Sequence, residues 1–292
     1  SVSLDGNLNV SNGGAFGAGI YRLINYTGSL AGQGLTVTGV PQGFNLGDVL
    51  VDIATANQVN VVVSVANMLF WDGSQTTGNG TVEGGNGTWS VGASNWTAIG
   101  GTPNSAWAGG FAVFTGTAGT VSVDGTQQFT GLQFASDGYN VVGGAAGQLT
   151  AVNGSAGNTA IRVDPTLTAT LGVNIDGAGK LAKLDSGTLV LNGNNSYTGG
   201  TALERGALVV GSNTALGVGL LSTAAGTTLS SNKTVALGND LALAGNLNVT
   251  GSNALALNGV ISGAGGLVKS GTSQLTLGGV NTYLGPTALN AG

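Results

Sequence analysis

The chain has 292 residues, 41% of them hydrophobic and only 7% charged, with 56 glycines and a formal net charge of −5. Ordinary disorder needs low hydrophobicity with high net charge, so this balance argues for an ordered fold. The acidic character gives no basic footprint for nucleic acid or anionic lipid. The absence of cysteine and histidine removes disulfides, thiolate metal sites and imidazole chemistry.

Taken in chain order, the predicted elements are short strands. Leu8-Asn9-Val10, Leu35-Thr36-Val37 and Val49-Leu50-Val51 alternate in, out, in, the period of a half-buried strand. Val59 to Ala66 is among the longest apolar runs, far short of the about 20 residues of a membrane-spanning helix. It is too rich in β-branched residues for a helix. No signal peptide is visible at Ser1, which lacks a basic start and an apolar core. Residues 1–69 are therefore expected to form N-terminal β-solenoid coils.

Residues 70–110 depart from this texture. Trp71, Trp89, Trp96 and Trp107 stand among Gly, Asn and Thr, which predicts a hairpin or widened coil. Exposed, the four rings are candidate glycan contacts, because aromatic faces stack on apolar sugar faces. Buried, they fill a core, the commoner fate of large aromatics. Gly84-Gly85-Asn86-Gly87-Thr88-Trp89 has the glycines of a calcium-binding β-roll but puts Trp where that motif needs Asp.

From residue 111 onward Val121-Ser122-Val123, Leu189-Val190-Leu191 and Leu275-Thr276-Leu277 continue the alternation. Asp124-Gly125, Asn153-Gly154 and Asn192-Gly193 supply turn residues between strands. Sliding the sequence by 86 residues lays 175–206 on 261–292 without a gap, with sixteen of 32 positions identical. Ungapped duplication marks a repeat architecture. Short strands between bends favour a single-stranded β-solenoid over a propeller, with coils of about 20–25 residues. An 86-residue period then holds about four whole coils, and the chain about 13 coils over roughly 60 Å. The expected fold is all-β, a right-handed parallel β-helix, occupying 111–292 with the two repeats inside it. The last copy stops at Gly292 where the first runs on, as if cut from a longer protein.

Nothing in the chain reads as catalytic, metal-binding or cofactor-binding. Gly271-Thr272-Ser273 has no base, and Gly179-Lys180 lacks a phosphate-binding glycine loop. The carboxylate pairs Asp48 with Asp52, Asp164 with Asp176 and Asp124 with Asp137 are candidates for glycan cleavage, but only Arg22 lies near the first pair to hold an acidic sugar. Asn195 and Tyr197 are read as structural, Asn stacking between coils and Tyr burying its ring. Lys183 and Lys269 are read as surface charges at a turn.

One resemblance rests on spaced residues. Gly177, Gly179, Leu181 and Lys183, then Leu189, Leu191, Gly193, Asn195, Tyr197, Gly199 and Thr201, then Gly206, recur from Gly263 through Leu275, Leu277, Asn281 and Tyr283 to Gly292, and Leu208 follows the first copy. This pattern resembles the autotransporter-associated β-strand repeat. Trp71-Asp72-Gly73, Ser94-Asn95-Trp96, Ser105-Ala106-Trp107 and Gly131-Leu132-Gln133-Phe134 are similar to segments preceding such repeats. The resemblance implies a type V secretion passenger: a parallel β-helix exported through an outer-membrane β-barrel translocator of the same polypeptide to the cell surface, its repeats aiding secretion and folding. The acidic balance and short apolar runs lead to an expectation of no nucleic-acid partner and no membrane insertion of this segment. A host surface or glycan is the further candidate partner. Pro286 departs from the pattern where copy one has Gly200, which suits Pro only where no amide is needed.

Overall fold

A computed structural model describes every residue except Ala15, Ala54 and Ala56. It divides into Ser1–Met68 and Leu69–Gly292.

The larger unit is a column of coils whose strands pair in parallel. Alternating Leu and Val put one row of side chains inside each strand, and a glycine or Asx turn carries the chain to the next face. Each coil visits three faces. On the first, Leu181, Thr201, Leu221, Leu241 and Ile261 are register partners in succession, one every twenty residues. The second face is a ten-stranded sheet running from Gly87–Trp89 to Thr287–Leu289. The third is two three-stranded patches, the strands beginning at Thr126, Gln148 and Asn174, and those beginning at Val235, Leu255 and Leu275. Phe134, Val163, Leu191, Val210, Leu243 and Leu257 belong to one continuous buried cluster along the axis. Ten strands at the usual sheet spacing span about 43 Å.

Two sequence expectations are corrected here. First, the 86-residue period is not a whole number of coils. Leu181 lies on the first face but its copy Leu267 on the second; Leu189 lies on the second and Leu275 on the third; Ile175 lies on the third and Ile261 on the first. Four twenty-residue coils leave six residues over, so each copy is rotated onto the next face. Stacking requires only that each strand find an in–out partner, and every face offers one.

Second, Ser1–Met68 is not a run of coils. Gly19–Asn25 and Val49–Asp52 both pair antiparallel with Gln58–Val63, and only Val2–Asn9 with Leu30–Gly39 runs parallel. This unit has its own small core around Val49, Val61 and Val63, with Phe16 packed at 4.9 Å from Phe44. Two-residue alternation suits either pairing direction, so the sequence signal could not separate them. The 13-coil estimate falls with it.

The residues from 70 to 110 close the start of the column. The first-face sheet extends from Phe111–Phe114 to Met68–Trp71, then to Trp96–Thr97 and Asn104–Ser105. The pairing of Trp71 with Trp96 and of Trp96 with Ser105 is antiparallel.

Candidate functional site

The repeat residues build a clamp between coils. The third face lacks paired strands between its two patches, and Asn195 stands in that gap. Its Oδ1 accepts the Ile175 amide at 2.8 Å from the coil before, while its Nδ2 donates to Ala215 O at 2.7 Å on the coil after. One side chain thus replaces two missing ladder bonds. Copy two repeats the first of them, Asn281 Oδ1 accepting the Ile261 amide at 2.9 Å. Tyr197 is fully buried and its hydroxyl meets Thr201 Oγ1 at 2.6 Å; Tyr283 and Thr287 make the same contact at 2.5 Å. Burial pushes the Tyr197 phenol well above its ordinary pKa, the hydrogen bond to Thr201 acting against it.

Gly177 and Gly263 share φ values of +99° and +108°, and a Cβ there would come within 2.4 Å of Ala151 O and 2.3 Å of Leu243 O. Backbone conformation and coil-on-coil approach both demand glycine. Leu189 and Leu191 are buried, and Leu275 and Leu277 pack part-buried on the same column. At the departure from the pattern, Gly200 O accepts from the Leu181 amide and Pro286 O from the Leu267 amide, each at 3.0 Å. The motif needs the carbonyl there, so Pro serves.

Lys183 and Lys269 are not surface charges. Their side chains are 1% and 4% exposed, on strands where they face the same way as Leu181 and Leu267. Lys183 Nζ donates to Leu184 O at 2.8 Å, Asp185 O at 2.9 Å and Arg205 O at 3.3 Å. Lys269 Nζ donates to Gly271 O and, at 3.2 Å, to Ala291 O. Burial lowers the Lys183 amine to about 8, with the Asp185 carboxylate pulling it back up. Asp185 itself takes Arg162 Nη1 at 2.9 Å, a pair the sequence reading missed. Parity was the available signal: in Leu181-x-Lys183 the lysine falls on the inward side of the alternation.

At the start of the column, Trp71, Trp89 and Trp96 have no exposed surface, and Trp107 is part-exposed. Trp71 Nε1 donates to Gly85 O at 2.9 Å and Trp107 Nε1 to Gln128 O at 2.7 Å. Trp96 stands edge-to-face with Trp71 at 5.1 Å and with Trp89 at 4.9 Å, and Trp107 packs on both Trp89 and Trp96. A ring with no exposed face cannot stack on a sugar, which confines a glycan contact in this cluster to Trp107. Beside the rings, buried Asp72 accepts the Glu83 amide and Asn104 Nδ2, each at 2.9 Å. Burial raises the Asp72 carboxyl, and its hydrogen bond to Asp72 holds Glu83 low.

Five of the six carboxylates considered for catalysis accept hydrogen bonds from neighbouring chain segments instead. Asp48 accepts from the Asn45 amide, Asp52 from Asn60, Asp137 from the Thr168 amide, Asp164 from Gln133 and Asp176 from Thr150. Among the described residues no group of three or more acidic side chains is placed to hold a metal. No helix among them is long and apolar enough to cross a membrane.

The fold and clamp define a class: a parallel β-solenoid stacked by an internal repeat. Residues 181–210 and 267–292 match the model of the passenger-associated-transport-repeat. The adhesin BmaC autotransporter of Brucella suis biovar 1 (strain 1330) is 41% identical over 235 residues, covering 75% of this chain. The chain spans only 6% of that protein's length. No solved structure matches. The chain is a stretch of autotransporter passenger carrying these repeats, exported across the outer membrane and displayed at the cell surface.

Proposed function

We propose that this segment is a non-enzymatic, rigid shaft of the passenger, and that closing coil on coil aids its own export. The observation that carries this reading is the range of its contacts. Backbone pairing and repeat side chains link each coil to the next one along, as in Leu181 with Thr201 or Asn195 with Ile175. Contacts of that kind let folding propagate from one turn to the next. Without disulfides no covalent cross-link keeps the unfolded chain from threading a narrow pore. Stacking on the far side would then draw the next coil out and oppose backsliding. The pore would be the β-barrel that autotransporters carry in the same polypeptide.

Leu189→Asp with Leu191→Asp places two carboxylates in the column, and surface display should stall. Display at the unaltered rate would contradict the export role.

A second reading, adhesion, is favoured by the name of the Brucella relative and by Trp107 alone of the four indoles being part-exposed. A glycan array would then lose signal with Trp107→Phe, which keeps the packing better than Ala. Equal binding by that variant would remove this cluster from any adhesive role.

A further inference from the structure

Within the coil-by-coil reading, we infer that Lys183 and Lys269 are locks, each tying one coil to the next inside a repeat that carries both halves of the lock. Three observations converge on this. The ammonium group reaches its own coil and the following one together: Lys183 bonds Leu184 O and Asp185 O on one coil and Arg205 O on the next. The arrangement survives rotation by a face. Lys269 sits on the second face and Lys183 on the first, yet Gly271 O and Ala291 O stand where Asp185 O and Arg205 O stand, each 86 residues on. Finally, the acceptors are all backbone carbonyls. That explains why the residues supplying them differ between copies, Asp185 against Gly271 and Arg205 against Ala291, while the lysine is the same.

Every carbonyl that the Lys183 Nζ meets lies within 175–206 and every carbonyl that the Lys269 Nζ meets within 261–292. The Asn195–Ile175 and Tyr197–Thr201 contacts lie within the same span. A repeat can therefore close one complete coil-to-coil contact as soon as its own residues are available, whichever face it occupies. The repeat is a portable closing unit, set roughly every fourth coil along the column.

A buried lysine has a rival explanation, a charge that the core merely tolerates, and the two differ in sign. Replacing a tolerated buried charge by an apolar group of similar shape is neutral or stabilising. Removing the one side chain that donates to carbonyls of two successive coils is destabilising. The experiment uses the full 292-residue chain with Lys183→Met, Lys269→Met and, as an exposed control, Lys180→Met. The readouts are urea unfolding and hydrogen exchange at the Glu204 and Asn290 amides, which donate to Lys183 O at 3.0 Å and Lys269 O at 2.8 Å. The lock predicts an equilibrium constant for folding reduced about 10- to 100-fold by either inward substitution. Protection should fall first at the amide beside the altered lysine, and Lys180→Met should change neither readout. If Lys183→Met does not fold, Lys183→Gln, which keeps an amide donor, should fold. A Met variant as stable as the parent, or a Gln variant no better than Met, would overturn the lock. Loss of stability with display unchanged would leave the lock standing and remove the export role; unchanged stability with display lost would do the reverse.

Discussion

At the scale of single residues, the column is held by polar side chains that reach one or two coils. Asn192 and Asn232 lie two coils apart, and Asn232 Nδ2 donates to Asn192 Oδ1 at 2.9 Å over Gly211. A Cβ on residue 211 would stand 1.9 Å from Asn192 Oδ1. Gly211→Ala should therefore cost about 1–3 kcal/mol of overpacking in a urea melt. Asn192→Ser in the same chain should recover part of it, and strict additivity would refute the bridge. Asn195→Ala leaves the buried Ile175 amide without its acceptor and should cost about 1–3 kcal/mol. The Lys183 amine carries a pH signature. Its folded pKa of about 8 lies below the ordinary 10.5 of an unfolded lysine. Between those values the unfolded chain binds more protons, so this group's contribution to stability rises as pH rises. The neutral amine still donates two hydrogens to the carbonyls that the ammonium met with three. Comparing urea midpoints of the parent and Lys183→Met across pH 8 to 10 isolates that rise, which the variant should lack. The legibility of these roles differed by type. Asn195 and Tyr197 were readable as structural because they recur with the strands. Lys183 was misread because charge was weighed above position, although the alternation already set it beside Leu181.

At the scale of elements, a strand of this chain states its inner side clearly and its partner poorly. Leu189-Val190-Leu191 and Val49-Leu50-Val51 carry the same pattern, yet one pairs in parallel within the column and the other antiparallel with Gln58–Val63. The difference lies in the connections. Twenty-residue returns bring successive strands round to the same face, while the short link from Val49–Asp52 to Gln58–Val63 folds straight back. The repeat's rotation by one face escaped the sequence for a related reason. All three faces ask for the same Leu-x-Leu alternation, so the motif does not name its face. The aromatic cluster gave the opposite outcome, since its position was evident but its burial was not. Trp71, Trp89 and Trp96 fill the mouth of the column, and the two indoles whose Nε1 atoms lack an acceptor, Trp89 and Trp96, have neighbouring rings set edge-to-face around them. Trp96→Ala should remove about 3–5 kcal/mol. It should also collapse the near-ultraviolet dichroism of the whole indole cluster, whereas retention of that signal would mean the rings do not act as one unit.

At the scale of the larger unit, contacts one coil long add up to a column whose length grows with coil number. Low charge suits that build, because outward rows of Thr, Ser, Asn and Val stack repeatedly against their own kind without like charges facing one another. Surface display of the Leu189→Asp, Leu191→Asp chain examines what the column does; its existence is examined by distance. Thr120, Asn140, Thr170, Val190, Val209 and Ser230 are register partners in succession on the second face. The chain has no cysteine, so spin labels at Thr120→Cys and Ser230→Cys report one distance without interference. Five coil steps predict a backbone separation of about 24 Å, with Asn140→Cys in place of Thr120→Cys shortening it by about one strand spacing. A separation that ignores the number of coils between the labels, or a broad spread of distances, would contradict the coiled column and everything built on it.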